Sequence, residues 1–419
     1  MTYLFVGAGQ AGSAIVDAIF EHTDDSLLDL FSTADISTLG RPIVFNSTIR
    51  DLENLSNVPR EQQYGIAEQH GLVEGNEPGF EEMVTGGFGR DPVKADEVMD
   101  EHAAQVHGVL DAQVGEAVPP DPDEDVAPES SDSVQFAFLF LGLGGGTGCG
   151  IAPHLAREIN SYTDGRAQVI AIGILPATGT DDEEGANAGR QAWNARYGLD
   201  RLEPEVDGIV LVDNERISYL DSAAGQFGKY NEYVAAALHD LIAGPVFNTV
   251  DASEVEGVDT PDIDVRDIVT SLSFGVGGGD STPGYAAIGR SVSMTRSLSG
   301  YLLPFVGRRE IDSAALSRLS TSKQTVARAD PGDAEKAIAL VRAPSSYIAD
   351  GSKGIETATI QEHLERSSGL SEVNLGVAIN ERQLASVTSL LTYQRSELRR
   401  LDEIEAAADA YEDETEQLV

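Results

Sequence analysis

Two glycine-rich stretches hold the residues whose type and spacing could do chemistry. The first, Gly7-Ala8-Gly9-Gln10-Ala11-Gly12, follows the apolar run Leu4–Val6 and opens onto a helical pattern. Its G-x-G-x-x-G spacing is that of a dinucleotide-binding turn. Glycines let the backbone approach a phosphate, and a helix N-terminus supplies amides and the positive end of a dipole. Taken alone, this loop fits a dinucleotide site, another phosphate site or a tight structural turn. The second stretch is Gly142-Leu143-Gly144-Gly145-Gly146-Thr147-Gly148-Cys149-Gly150, between the apolar Phe136–Leu141 and the helical Ile151–Asn160. Six glycines in nine residues cost conformational entropy with no evident packing reason. Consecutive amides in such a loop form an anion nest, and Thr147 adds a hydroxyl. A dinucleotide needs only one such cradle, so the pair implies a nucleoside di- or triphosphate gripped from two sides.

The elements that must position these loops are strands and helices in alternation. Short apolar runs at Leu4–Val6, Pro42–Phe45, Phe136–Leu141, Val169–Ile174 and Gly208–Val212 are separated by helical patterns. That alternation predicts a mainly parallel, helix-covered α/β sheet with its ligand at the carboxyl ends of the strands. Glu116–Ser133 and Glu256–Asp264 are acidic, turn-rich insertions. Gln226–Ala243 has the apolar spacing of a single helix. Ser291–Phe305, Lys336–Val341, Val373–Ile379 and Val387–Tyr393 predict strands of a second, smaller sheet. Leu398, Leu401, Ile404, Ala408 and Tyr411 then recur at the interval of an amphipathic helix.

At this point the chain resembles the tubulin/FtsZ superfamily. Gly144–Gly150 is similar to its G-G-G-T-G-[ST]-G signature, with Cys149 in the variable place, and Gly9-Gln10-Ala11-Gly12 resembles the archaeal CetZ branch, with Ser13 where glycine is commoner. Asn46-Ser47-Thr48 with Asp51-Leu52 resembles the FtsZ loop after the second strand. Gly86-Gly87-Phe88-Gly89-Arg90-Asp91-Pro92 is similar to the loop that closes over the terminal phosphate. Pro176 and Glu184-Gly185 resemble the sugar-contacting loop, with Arg190 in place of a basic residue there. Asp213-Asn214 and Tyr230-Asn231-Glu232 resemble the two base-reading segments.

The resemblance implies a GTP-binding domain over residues 1–225 and a central helix over 226–243. A smaller α/β, activation-type domain over 244–395 and an acidic terminal helix or tail over 396–419 complete the chain. It implies GTP or GDP with Mg²⁺ as ligand, bound by Gly9, Gln10, Ala11, Gly12, Asn46, Gly89, Gly144, Gly145, Gly146, Thr147, Gly148, Glu184, Asn214 and Asn231. It also implies a homopolymer, head to tail, in which one copy supplies hydrolytic residues to its neighbour's nucleotide. Asn248-Thr249-Val250-Asp251-Ala252-Ser253-Glu254 is similar to the loop that does this, making Asn248, Asp251 and Glu254 the catalytic candidates. Two carboxylates three residues apart share one face of a helical turn, and a carboxylate facing the terminal phosphate can orient water for in-line attack. Asp264, in Asp264-Val265-Arg266, is the rival for the second carboxylate. A chain without the short FtsZ terminal peptide, and with Gln10, favours a CetZ-like role in cell shape over division.

Two other function classes stay open. One is a nucleotide-binding filament or regulator that has lost turnover, to which the inserted loop and Ser13 point. A dinucleotide oxidoreductase would need an acid at the end of the second strand to bind the ribose, where Asn46 stands instead.

Composition narrows the partners. Acidic residues outnumber basic ones by 70 to 28, for a net charge of -42 over 419 residues. The acids are spread along the whole chain, as on a halophile's protein that is screened by concentrated salt. There is no basic stripe to displace counterions from nucleic acid. No apolar run is long enough to span a bilayer, and the opening residues lack the basic flank of a signal peptide. The expectation is a cytoplasmic protein, with protein partners beyond its own copies unidentified. Cys149 is the only cysteine, which leaves no internal disulfide and no cysteine-built metal site. The seven histidines show no metal-ligand spacing.

Overall fold

The computed structural model describes residues 2–21, 40–84, 86–115, 134–177, 185–218, 233–242, 263, 265–275, 282–295, 309–348, 354–367, 370, 372–379 and 384–417. Strands covered on both faces read as unbroken apolar runs, and the centre of the sheet is made of them. In β5 (Val134–Gly142), Phe136, Phe138 and Phe140 enter one core together with Tyr3 and Phe5 of β1 (Thr2–Ala8). Ala137, Leu139 and Leu141 enter the opposite core with Leu4, Val6 and Ala8. Alternation of side chains along each strand thus feeds two cores at once.

β1 lies between β5 and β2 (Gly40–Asn46), parallel to both, with Phe5 opposite Phe138 and Val6 opposite Ile43. β6 (Gln168–Leu175) and β7 (Gly208–Asp213) continue the sheet in parallel beyond β5. β3 (Gln63–Ala67) and β4 (Gly71–Glu74) finish the edge beside β2. One face is covered by the helices Gly146–Tyr162, Gly185–Leu202 and Arg399–Gln417, through Ile151, Leu155, Leu199, Leu401 and Ile404. The other is covered by the helix Gly9–Glu21 and the helix 233–242, through Ile15, Ile19, Val234 and Leu238.

The second half does not build a separate sheet. β9 (Thr282–Met294) runs parallel to β7, with Gly208 opposite Gly284, and carries β12 (Leu384–Tyr393), β10 (Lys336–Ala343) and β11 (Glu372–Ile379) outward. One sheet therefore runs β11-β10-β12-β9-β7-β6-β5-β1-β2-β3-β4, with the two-residue β8 (Ser273–Phe274) on β9. The outer strands nonetheless have their own core, in which Val341, Leu375 and Val387 meet Leu316, Ile360 and Leu364.

β9 begins nine residues before the strand that the sequence predicts at Ser291, and residues 296–308 lie outside the described residues. Two glycines lie within it, Gly284 and Gly289. Both are needed for packing: a Cβ on Gly289 would stand 1.7 Å from the Ser320 carbonyl oxygen, and one on Gly284 2.8 Å from that of Leu272.

The helix 233–242 is tied to this outer sheet by Asp240. Its buried carboxylate accepts from Arg290 Nε at 2.8 Å, from Arg342 Nη1 and from Thr388 Oγ1 at 3.2 Å. Burial alone would raise its pKa, but the two guanidinium groups more than offset this and hold it at about 2. No helix among the described residues is long and apolar enough to cross a membrane.

Candidate nucleotide-binding site

A cleft of about 700 Å³ opens across the carboxyl ends of β2, β1, β5, β6 and β7. It is lined by Asn46 at the β2 end, by Gly9, Gln10 and Ala11 after β1, and by Gly142 and Gly144–Gly148 after β5. Pro176 and Ala177 after β6 and Asn214 after β7 complete the far end. Four strand spacings of about 4.8 Å separate β2 from β7, so the cleft is roughly 19 Å long. Of the 22 described residues that line it, one is acidic, in a chain with 70 acids. That depletion favours an anionic ligand.

The phosphate end is made of backbone. Gly145 caps the helix Gly146–Tyr162, so the first-turn amides of Gly146, Thr147 and Gly148 have no partner within the helix. Thr147 Oγ1 pairs with Ser47 Oγ at 2.8 Å, bringing the β2 loop against this turn. Gly9 adopts φ +69, and a Cβ there would lie 2.9 Å from the Gly148 nitrogen, so only glycine lets the two loops meet.

The other glycines have a reason that the sequence conceals. A Cβ on Gly12 would meet the Phe140 carbonyl oxygen at 2.0 Å, and one on Gly146 would come within 2.4 Å of the Arg90 carbonyl carbon. Gly12 lies outside the cleft lining and lets its helix sit on β5. Gly146 lets the phosphate turn touch the Gly86–Pro92 loop. Most glycines of the second stretch thus have a packing role, contrary to the expectation that packing does not require them. Gly145 is the exception, with nothing nearer than 3.5 Å.

The Gly86–Pro92 loop is shaped by what surrounds it. Asp91 accepts from the amides of Val93 at 3.0 Å and Lys94 at 3.4 Å, starting the helix Pro92–His102. Gly89 and Arg90 are both left-handed, at φ +65 and +63. Arg190 Nη2 donates to the Gly89 carbonyl and lies outside the cleft lining, so it holds the loop from behind. Asn194, 1% exposed, donates to the carbonyls of Arg90 at 3.1 Å and Gly144 at 3.2 Å, clamping this loop to the phosphate turn. Asn194, Arg90 and Gln191 were missed as site residues by the sequence reading. Arg90, the one cation lining the cleft among the described residues, sits in a motif that could have flagged it.

At the β2 end, Asn46 Oδ1 accepts from the Thr48 amide at 3.3 Å and its Nδ2 donates to Asp51 at 3.5 Å. Burial raises the Asp51 carboxyl, opposed by that hydrogen bond and by Arg50. At the β7 end, Asp213 accepts from the amides of Glu215 at 3.0 Å and Ala327 at 3.1 Å and from Arg400 Nε at 3.0 Å. Burial raises its carboxyl and Arg400 opposes the rise. The Asn214 amide donates to the Leu175 carbonyl at 3.1 Å, setting the residue at the cleft wall. Cys149 is fully buried, its Sγ 3.0 Å from the Leu143 carbonyl oxygen, and burial pushes the thiol far above its ordinary range. A reactive thiol is excluded by that setting.

Glu184, Asn231, Asn248, Asp251, Glu254 and the rival Asp264 lie outside the described residues. The structure therefore brings together Gly9, Gln10, Ala11, Asn46, Gly89, Gly144–Gly148 and Asn214. Among the described residues, no group of three or more His, Cys, Asp or Glu could hold a metal ion.

Residues 124–220 match the Tubulin/FtsZ family, GTPase domain. The tubulin-like protein CetZ3 of Haloferax volcanii is 27% identical over 420 residues, spanning 97% of this chain and 92% of that protein. The chain is tubulin/FtsZ-like. The tubulin-like protein CetZ of Pyrococcus abyssi is 29% identical over 263 residues, which are 62% of this chain and 58% of that one. Among solved structures, the GDP-bound monomer of CetZ1 from Haloferax volcanii aligns with a TM-score of 0.68 at 22% identity, covering 98% of this chain and all of that one. The GTPγS-bound protofilament of CetZ2 from the same organism aligns at 0.67 and 21%, covering 99% and 100%. The mainly parallel α/β fold and its likeness to this superfamily agree with the reading of the glycine loops.

Proposed function

We propose that this chain binds GTP in the cleft, assembles head to tail into cytoplasmic filaments and hydrolyses the nucleotide at the junction between copies, in the control of cell shape. The observation that carries the reading is a cleft whose described lining is poor in acids, with two glycine loops meeting at its phosphate end, in a chain of which residues 124–220 match the family's GTPase domain. The β- and γ-phosphates lie on the amides of Gly145–Gly148 and of Gln10 and Ala11, beneath Gly89. Asn214 and Asn231 read the base, and Glu184 contacts the ribose. Backbone amides fixed before the reaction stabilise developing phosphate charge without reorganising.

A Mg²⁺ ion fits the phosphate end. Asp51 is the one carboxylate among the described residues of the lining, and such an ion takes its remaining ligands from phosphates and water. When bound, it would neutralise phosphate charge. Assembly supplies Asn248, Asp251 and Glu254 of one copy to the nucleotide of the next. The GTPγS protofilament of CetZ2 supports a head-to-tail polymer. At a net charge of -42, contact between copies needs strong screening. Repulsion reaches about 8 Å at physiological ionic strength and about 3 Å near molar salt.

The test is phosphate release and light scattering near molar salt. Alanine at both Asp251 and Glu254 should leave GTP binding intact, lower turnover roughly 10²–10⁴-fold and let filaments persist. Unchanged turnover in that variant would contradict the assignment and move it to Asp264. Filaments that form on GTP without any phosphate release by the unaltered chain would favour a nucleotide-binding polymer without turnover.

A further inference from the structure

Arg400 opens an acidic helix, in a chain with few cations, where a solvated surface residue would be the ordinary expectation. Its side chain is instead 0% exposed, as is that of Asp213. A buried guanidinium is retained only when partners satisfy its donors. Nε donates to Asp213 Oδ2 at 3.0 Å, Nη2 to the Pro176 carbonyl at 2.5 Å and Nη1 to Glu403 at 3.3 Å, with Glu215 3.8 Å from Nη2. Apart from Glu403, these partners lie on the two segments that wall the β6–β7 end of the cleft. Pro176 is in the first segment, and Asp213 and Glu215 flank Asn214 in the second.

We propose that Arg400 is a positioning residue that sets purine selectivity by locking Asn214 against the base through its neighbour Asp213, 187 residues from Arg400 in sequence. The inference rests on the GTP-binding reading and deepens it. The Asn214 backbone N–H donates to the carbonyl of Leu175, the residue before Pro176, so one guanidinium holds the residues next to both ends of that bond, Asp213 and Pro176, and through them the place from which the Asn214 side chain projects. The bonds of Arg400 to described residues, apart from Glu403, all go to the β6 and β7 ends. Its loss should slacken the base end alone, and an amide free to turn presents donor or acceptor equally to guanine and adenine.

The experiment measures equilibrium affinities for GTP, ATP and inorganic tripolyphosphate near molar salt, with the full-length chain. Arg400→Met should weaken GTP about tenfold or more, bring the GTP-to-ATP affinity ratio towards one, and leave tripolyphosphate within about twofold. Arg400→Lys keeps the charge without the planar fork. It should fall between the two, and it carries the test if the methionine variant does not fold. Equal losses for GTP and tripolyphosphate, or an unchanged GTP-to-ATP ratio in either variant, would overturn the proposal. An unaltered chain that fails to prefer GTP over ATP would contradict the GTP-binding reading itself, an outcome distinct from either of these.

Discussion

The two ends of the cleft are built from different material. At the phosphate end the working groups are main-chain amides, and most of the residues that matter are those without side chains, Gly9, Gly144–Gly146 and Gly148. At the opposite end the wall is set by side chains, with Asp213, the neighbour of Asn214, held by Arg400 from the other end of the chain. A polyanion can be bound by any loop of free amides, so that end depends on close approach between loops. A planar base must be told from its analogues by the orientation of single hydrogen-bonding groups, so the other end depends on rigidity.

Perturbations should divide along the same line. The largest effect should come from a buried side chain that belongs to neither end, Asp240. Replacing it with asparagine leaves Arg290 and Arg342 without their carboxylate and should cost about 3–5 kcal/mol of stability, read by denaturant unfolding near molar salt. The nucleotide selectivity of the folded fraction should be unchanged. Because its folded pKa is held at about 2, below the ordinary 3.8, its contribution is present above about pH 4 and lost as pH falls towards 2. The asparagine variant should lack that part of the acid dependence. If its stability equalled the parent's, the ion cluster would have no structural role.

Gly146→Val comes next. Its Cβ would be forced into the Arg90 backbone, and such overpacking costs about 1–3 kcal/mol. The two loops must part, so affinity for GTP and for tripolyphosphate should fall together, by roughly 5- to 150-fold. Loss of GTP alone would mean that this loop also serves the base end.

Gly145→Ala should have the smallest effect. Its φ of -89 suits any residue, its Cβ would meet nothing closer than 3.5 Å, and stability should move by less than about 1 kcal/mol. Titration calorimetry on this pair of glycine variants measures how much of the loop serves packing and how much serves the ligand.

The same division explains what could be read from sequence. Backbone sites leave local marks, so both glycine loops, the strand ends and the parallel α/β order were legible. The reason for individual glycines was not, because the clash at Gly146 involves Arg90, 56 positions earlier. The early start of β9 was hidden in the same way, since Gly284 and Gly289 are required by the distant Leu272 and Ser320. Arg400 and Asn194 left no local signal, as each acts on carbonyls or carboxylates far away in sequence. Their burial could not be anticipated in a chain whose charged residues are expected at the surface.

The central claim is that one cleft holds GTP by its phosphates at one end and by its base at the other. The most direct measurement is titration calorimetry of the unaltered chain near molar salt with GTP, ATP, tripolyphosphate and NAD. The account predicts that GTP binds about tenfold or more tighter than ATP and tripolyphosphate, with NAD failing to displace it. NAD binding as tightly as GTP, with the two in competition, would contradict it and return the first glycine loop to a dinucleotide site.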